Sequence, residues 1–127
     1  MREKRALIVD DSSVMRKIVE RALRQAGLDP LEVHEAASGA EALEILKVTP
    51  VDLILSDINM PSMDGLEFLR QIQAQKLAPG VPVVMITTES SEEHVKQAIS
   101  AGARGYLRKP FTAEQLKERV LSLLDAL

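Results

Sequence analysis

Two adjacent aspartates, Asp10 and Asp11, follow a short apolar run in the stretch LIVDDSS. Aspartate is depleted in strands and common at helix starts, and neighbouring carboxylates repel each other. The pair is therefore open to two interpretations. It is either the exposed start of a helix or part of a site that a cation holds together.

Three other polar residues stand where an apolar run ends: Asp57 in LILSDINMP, Thr87 in VVMITTE and Lys109 in GYLRKPF. If these runs are parallel strands of one sheet, their carboxyl ends meet at one edge, where ligands bind. Clustered carboxylates raise one another's pKa unless a cation neutralises them. Mg²⁺ suits such a site best, because it takes a few carboxylates, keeps waters and accepts phosphoryl oxygens.

The elements that must position these residues alternate along the chain. Five apolar runs, each followed by a segment of helical period, predict strands at 6–9, 33–36, 53–55, 83–86 and 105–107. Four of the helix starts show a capping residue with Glu or Gln three positions later. These pairs are Ser38 and Glu41, Asp64 and Glu67, Ser90 and Glu93, and Thr112 and Gln115.

Apolar spacing predicts which face each helix buries. The first helix opens at Ser12-Ser13 without a Glu or Gln three positions later, and Gly27 is a suitable stop. Its predicted buried stripe is Val14, Ile18, Ala22 and Leu23, and the corresponding stripe of the fourth helix includes Val95, Ala98 and Ile99.

The order of the strands follows from their polarity. The first, third and fourth runs are nearly pure aliphatic, whereas the second holds His34 and Glu35 and the fifth is flanked by Arg104 and Arg108. Parallel strands covered on both faces are continuously apolar. With right-handed crossovers, this predicts the flavodoxin-like α/β fold, a doubly wound five-stranded parallel sheet ordered 2-1-3-4-5 with five helices. No linker interrupts the chain, so one domain is predicted over residues 1–127.

Composition excludes several function classes. A net charge of -3 with scattered lysines and arginines offers no nucleic-acid footprint, and the absence of cysteine excludes disulfides and thiolate sites. The longest apolar run, 81–86, contains a proline and is far shorter than the roughly 20 residues that span a bilayer. Four apolar residues after MREKR are too few for a signal peptide. We predict a cytoplasmic protein without membrane insertion.

Taken together, VDDS, LSDINMPSMDG, ITTES and YLRKPF resemble, at these spacings, the receiver domain of bacterial two-component response regulators. The resemblance covers essentially the whole chain. DDSSVMRKI is also similar to the opening of stand-alone chemotaxis-type receivers, and the start at Met1 and the end in an amphipathic segment favour a free-standing protein.

The resemblance implies a role for each polar residue. Asp57 would be the phosphoryl acceptor, and Mg²⁺ would be held by Asp11 directly, Asp10 through water, Asp57 and the backbone carbonyl of Asn59. Lys109 would pair with the phosphoryl group, Thr87 would hydrogen-bond it, and Tyr106 would change rotamer as the signal. Asn59, Thr88 and Glu89 would flank the phosphoryl group and tune its kinetics. The Lys109-Pro110 bond is predicted to be cis, since the lysine must turn back toward the pocket.

The implied partners are a histidine kinase or phosphotransfer protein upstream and an effector downstream. The effector would dock on the face formed by the fourth helix, fifth strand and fifth helix, and the protein would be a monomer or a weak, phosphorylation-dependent dimer. It would promote only its own phosphorylation and dephosphorylation.

Three other functions were weighed. An aspartate-nucleophile phosphohydrolase needs a second carboxylate two residues after the nucleophile, where this chain has Asn59. A flavin-binding relative needs a loop of small residues after the first strand, where this chain has the acidic pair. A degenerate receiver acting as a scaffold would not need the full set of acids, Thr87 and Lys109.

Overall fold

The computed structural model describes the backbone of residues 4–28, 31–88 and 92–125. Strands and helices alternate strictly along these ranges. They are β1 (Lys4–Val9), α1 (Ser13–Gln25), β2 (Leu31–Ala36), α2 (Gly39–Val48), β3 (Leu53–Asp57), α3 (Gly65–Ala74), β4 (Val83–Thr87), α4 (Glu92–Ser100), β5 (Gly105–Arg108) and α5 (Ala113–Asp125).

The five strands form one parallel sheet in the order β2-β1-β3-β4-β5, which confirms the predicted topology. Each strand is longer than predicted. Asp57 and Thr87 are the last residues of β3 and β4 rather than the first residues of the loops that follow. Their side-chain directions are therefore set by the pleat of the strands, which makes their positions more rigid than those of loop residues.

Helices cover both faces of the sheet, and alternate strand residues supply the two cores. Leu7 and Val9 pack with residues of α2, α3 and α4, whereas Ala6 and Ile8 pack with residues of α1 and α5. Every residue of β3 and β4 is buried, as expected for central strands of a parallel sheet. The described residues include no helix that combines the length and hydropathy needed to cross a membrane.

The predicted buried stripe of α1 is wrong in its first half. Val14 is 68% exposed and Ile18 is 48% exposed, whereas Val19 is buried together with Ala22 and Leu23. Adjacent helical residues point about 100° apart, so two apolar stripes one residue out of step are equally periodic in the sequence. Packing against β1 and α5 selects the stripe that contains Val19. Ile99 of α4, also predicted to be buried, is 58% exposed.

Side-chain caps begin the helices as predicted wherever the starts are described. Ser12, Ser38 and Asp64 each accept a hydrogen bond from the backbone N–H three residues later. Before α5, the Thr112 hydroxyl accepts from the Gln115 N–H at 3.1 Å while the Gln115 side chain accepts from the Thr112 N–H at 2.9 Å, a complete capping box. The predicted cap at Ser90 lies outside the described residues.

The first residue of α3, Gly65, marks the closest approach between a helix start and the end of β3. Its N–H donates to the carbonyl of Ile58 at 2.7 Å. A Cβ atom built on Gly65 would overlap the carbonyl oxygen of Asp57 and lie 2.8 Å from the Cα of Ile58. Only glycine fits here, and the loop after Asp57 is thereby held against α3.

We predict that Gly65→Ala lowers the free energy of unfolding by about 1–3 kcal/mol, because rigid backbone must move to admit the methyl group. Gly39→Ala is the matched control, since Gly39 also begins a helix directly after its cap. There the new methyl meets only the flexible side chain of Met63, with its sulfur at 2.7 Å. Urea denaturation of both variants measures the difference, and equal stabilities would contradict the backbone clash.

Candidate functional site

Asp10, Asp11 and Asp57 lie together at the carboxyl edge of the sheet. Val9 of β1 pairs with Ser56 of β3, so the next residues, Asp10 and Asp57, come level with each other. Both are buried, at 4% and 7% exposed, whereas Asp11 is exposed. One carboxylate oxygen from each of the three lies within 4.8 Å of the others. The fold therefore gathers the three acids that the sequence predicted to be close.

Lys109 bridges the two buried carboxylates. Its Nζ lies 3.1 Å from Oδ2 of Asp10 and 3.3 Å from Oδ2 of Asp57. The residue directly follows β5, and its backbone N–H donates to the carbonyl of Thr87 at 2.8 Å. The Lys109-Pro110 peptide bond is cis, as predicted. A single ammonium group thus supplies the positive charge between two carboxylates from different strands.

Burial raises the pKa of the Asp57 carboxyl group above its ordinary value. The Lys109 ammonium opposes this shift, the nearby Asp10 carboxylate adds to it, and the hydrogen bond from the Asn59 backbone opposes it. The net direction shows that Lys109 does not fully offset the desolvation of Asp57 and the repulsion from Asp10. Three carboxylates and one ammonium group lie together here, so the cluster could hold a further cation.

Asn59 connects Asp57 to β4. Its backbone N–H donates to Oδ1 of Asp57 at 3.2 Å, and its side-chain Nδ2 lies 3.5 Å from Oγ1 of the fully buried Thr87. Thr88, the next residue along, is exposed. Glu89 lies outside the described residues, so its predicted place beside the phosphoryl group is untested.

Tyr106 lies one strand away from the acids, in β5. It pairs with Met85, two residues before Thr87 on β4. The ring is half-buried against the core shared with α2, α3 and α4, and its hydroxyl oxygen is buried. The structure thus places Tyr106 where movement of the end of β4 can reach it, but outside the acidic cluster itself.

The donor set fits a hard divalent cation. Oxygens bound to Mg²⁺ at roughly 2.0–2.1 Å in an octahedron lie about 3–4 Å apart. One oxygen from each of the three carboxylates lies within 4.8 Å of the others, so a shared ion is within reach of all three. Exposed Asp11 offers oxygens to the solvent side. Asp10 is more engaged, because Oδ1 accepts from the Ser12 N–H at 2.9 Å and Oδ2 contacts Lys109.

Sequence reasoning missed two residues at this edge. Nη1 of Arg16 donates to the backbone carbonyl of Asp10 at 2.6 Å, and Nε of the same guanidinium donates to Glu35 at 2.9 Å. In the sequence, Glu35 served only as a polar residue that places β2 at the edge of the sheet. No local motif links the two positions, which lie 19 residues apart.

The comparisons with known proteins identify the family of this chain. The chain matches the family model of the response regulator receiver domain over residues 6–121, so it belongs to that family, which acts in two-component signalling. The predicted family is confirmed.

Chemotaxis protein CheY-3 of Vibrio cholerae is 42% identical over 121 residues, covering 95% of this chain and 92% of the relative. The solved structure of chemotaxis protein CheY4 of Vibrio cholerae is 38% identical with a TM-score of 0.86, covering 96% of this chain and 99% of that one. The receiver domain of the sensor histidine kinase PA1611 of Pseudomonas aeruginosa is 27% identical with a TM-score of 0.84, covering 98% and 99%. That structure has a magnesium ion coordinated in its active-site cleft.

We predict that Asp57→Asn raises the melting temperature at pH 7 by about 2–5 °C, corresponding to roughly 1 kcal/mol. The pKa of Asp57 is raised in the folded state, so protonation of Asp57 favours folding. This stabilisation is complete below the unfolded-state pKa of about 3.9, and it is lost as the pH rises through the folded-state pKa. The gain should therefore shrink as pH falls toward 4. Calorimetry across pH 4–8 provides the test.

Asp64→Asn is the control, because Asp64 is an acid of the same loop whose capping role asparagine can take over. Its melting temperature should stay close to that of the parent. An Asp57→Asn variant that is no more stable than the parent at pH 7 would contradict the burial argument.

Proposed function

We propose that this protein is a phosphorylation-activated switch that accepts a phosphoryl group on Asp57 from a histidine kinase or phosphotransfer protein. The observation that carries the proposal is the position of Asp57. It is a buried carboxylate at the end of β3, in contact with Lys109 and within 4.8 Å of the Asp10 and Asp11 oxygens. Membership of the receiver family supports the same role.

The proposed reaction moves one phosphoryl group. A carboxylate oxygen of Asp57 forms the new O–P bond while the N–P bond of the donor's phosphohistidine breaks, and the imidazole nitrogen leaves with the bonding pair. Such transfers depend mainly on positioning and charge neutralisation. Lys109 already lies beside the acceptor oxygen, and the Thr87 hydroxyl would bind a phosphoryl oxygen.

Asp10, Asp11, Asp57 and the backbone carbonyl of Asn59 would hold Mg²⁺. When bound, Mg²⁺ would neutralise charge on the phosphoryl oxygens and the acids. In this proposal Asp11 is a direct ligand and Asp10 acts through water, which agrees with the exposure of Asp11 and the existing contacts of Asp10. The magnesium ion in the PA1611 receiver domain supports the choice of metal.

The proposed protein is a switch rather than a multiple-turnover enzyme. Asn59, two residues after the acceptor, cannot exchange protons as the corresponding acid of a phosphohydrolase would. A receiver retained only as a scaffold is also disfavoured, because Lys109, Asp10 and Asp57 remain in mutual contact. Asn59, exposed Thr88 and Glu89 are proposed to set the lifetime of the phosphorylated state.

Output is proposed to run from the end of β4 to the face formed by α4, β5 and α5. A phosphoryl group that binds Thr87 would draw the end of β4 toward Asp57. This movement would favour a different rotamer of Tyr106, which pairs with β4 through Met85. An effector protein, or weakly a second receiver, would then bind the altered face.

The proposal further places the protein in the cytoplasm as a stand-alone receiver of the chemotaxis or phosphorelay type. The support is the similarity to CheY-3 over most of both chains. Neither nucleic acid nor a membrane is a proposed partner, in keeping with the scattered basic residues.

We predict that a small phosphoryl donor with Mg²⁺ adds one phosphoryl group to the parent protein and that Asp57→Asn reduces this incorporation at least 100-fold. Intact-protein mass spectrometry gives the stoichiometry, and the adduct should be acid-stable and base-labile. Asp64→Asn, an acid removed from the same loop, should incorporate phosphate at the parent rate. Unchanged incorporation in Asp57→Asn would show that the acceptor is another residue.

We also predict that both Thr87→Ala and Tyr106→Ala accept phosphate. On phosphorylation, the face formed by α4, β5 and α5 should change only weakly in Thr87→Ala and should not change in Tyr106→Ala. The measurement is amide chemical shifts of residues 92–125, with and without a stable phosphoryl mimic. A ligand shifts an equilibrium only by its different affinity for the two states, so loss of one contact should give a graded response. Shifts confined to the loops around Asp57 in the parent would place the output face elsewhere.

A further inference from the structure

Arg16 reaches from the first turn of α1 back to the loop that carries the two acids. Its Nη1 donates to the backbone carbonyl oxygen of Asp10 at 2.6 Å, and its side chain is only 16% exposed. That carbonyl belongs to the peptide group joining Asp10 to Asp11. The guanidinium thus binds the one backbone group shared by both acids.

Glu35 of β2 holds the guanidinium in place. Its Oε1 accepts from Nε of Arg16 at 2.9 Å, while its Oε2 accepts from Nζ of Lys17 at 2.7 Å. Arginine suits this position because its planar group can donate to a carboxylate and a carbonyl at once in a fixed geometry. Lys17 shares Glu35 but is 68% exposed, and its ion pairs are with Glu20 and Glu35.

Among the described residues, Arg16 is the one that binds the carbonyl of this peptide, whereas the other contacts of Asp10 involve its N–H and its carboxylate. The Asp10 N–H donates to the carbonyl of Ala36 at 3.1 Å, which fixes the peptide before Asp10. Its carboxylate accepts from the Ser12 N–H and from Lys109. Rotation of the Asp10–Asp11 peptide would redirect the Asp11 side chain relative to Asp10 and Asp57. The bond from Arg16 opposes that rotation.

We propose that Arg16, held by Glu35, is a positioning residue for the magnesium site and sets the relative orientation of Asp10 and Asp11. This role presupposes the Mg²⁺ binding of the proposed function. Residues that orient metal ligands typically contribute 10–100-fold to metal affinity. Arg16 acts through the backbone and touches neither the metal nor the phosphoryl group.

The sign of the effect separates positioning from simple electrostatics. Arg16 and Lys17 are neighbouring positive charges that both bind Glu35, so on electrostatics alone removing either charge would strengthen the attraction of Mg²⁺ to the acids. Loss of orientation has the opposite effect, because the carboxylates must then be reordered on binding. A positioning role therefore predicts weaker Mg²⁺ binding in Arg16→Met despite the lost positive charge.

The test is a Mg²⁺ titration of the parent, Arg16→Met, Lys17→Met and Glu35→Gln at constant ionic strength, followed by amide chemical shifts. We expect about tenfold weaker binding in Arg16→Met, an intermediate loss in Glu35→Gln, and unchanged or slightly tighter binding in Lys17→Met. Arg16→Lys, which keeps the charge but not the fork of donors, should remain several-fold weaker than the parent.

A second readout needs no metal. Hydrogen exchange of the Ser12 amide, which donates to Asp10, should accelerate at least tenfold in metal-free Arg16→Met and stay unchanged in Lys17→Met. Should Arg16→Met fail to fold, Glu35→Gln carries the same test, since it keeps Arg16 and the carboxylate contacts of Asp10 and weakens the bond that holds the guanidinium. Glu35→Gln also weakens the contact with Lys17, for which Lys17→Met is the control.

Parent-like or tighter Mg²⁺ binding in Arg16→Met, with slow Ser12 exchange, would overturn the positioning role and leave the proposed function intact. A parent that binds no Mg²⁺ would overturn the proposed function and the positioning role together. Equal weakening in Arg16→Met and Lys17→Met would overturn the positioning role alone, because the contact with the Asp10 carbonyl would then make no difference to Mg²⁺ binding.

Discussion

Two buried carboxylates and one ammonium group at the carboxyl edge of the sheet determine most of what this molecule can do. Asp10 and Asp57 come level because β1 and β3 are parallel neighbours, and Lys109 arrives beside them at the end of β5. Desolvated like charges are costly unless they are paired. The strand order therefore matters for the site. It places the two acids on neighbouring strands and brings the lysine in from β5, the edge strand beyond β4.

The pairing is incomplete, and this incompleteness suits a switch. Burial and the Asp10 carboxylate keep the pKa of Asp57 raised in spite of Lys109. A metal ion or a phosphoryl group can therefore change the balance of charge at this edge with a large effect. Because Asn59 contacts Asp57 and lies 3.5 Å from Thr87, the proposed switch would act on β4 through this residue. Tyr106 lies on β5, which pairs directly with β4.

Sequence reasoning predicted what depends on local pattern and chain polarity. His34 and Glu35 identified β2 as an edge strand, and the aliphatic runs placed β1, β3 and β4 in the centre. The predicted strands β3 and β4 ended too early, because Asp57 and Thr87 are polar residues that nonetheless belong to the hydrogen-bonded sheet. The first half of the buried face of α1 was predicted one residue out of step, since only packing distinguishes Ile18 from Val19. Arg16 was missed because its partners are a backbone carbonyl and a distant strand.

The most direct test of the central pairing is a double-mutant cycle of Lys109→Met and Asp57→Asn, measured as free energies of unfolding at pH 7 without Mg²⁺. If Lys109 offsets the charge of Asp57, Lys109→Met should cost about 2 kcal/mol or more in the parent, a large loss because it leaves buried charge unpaired. It should cost clearly less in Asp57→Asn, giving a coupling of at least about 1 kcal/mol. Additive effects, in which Lys109→Met costs as much in Asp57→Asn as in the parent, would contradict the account.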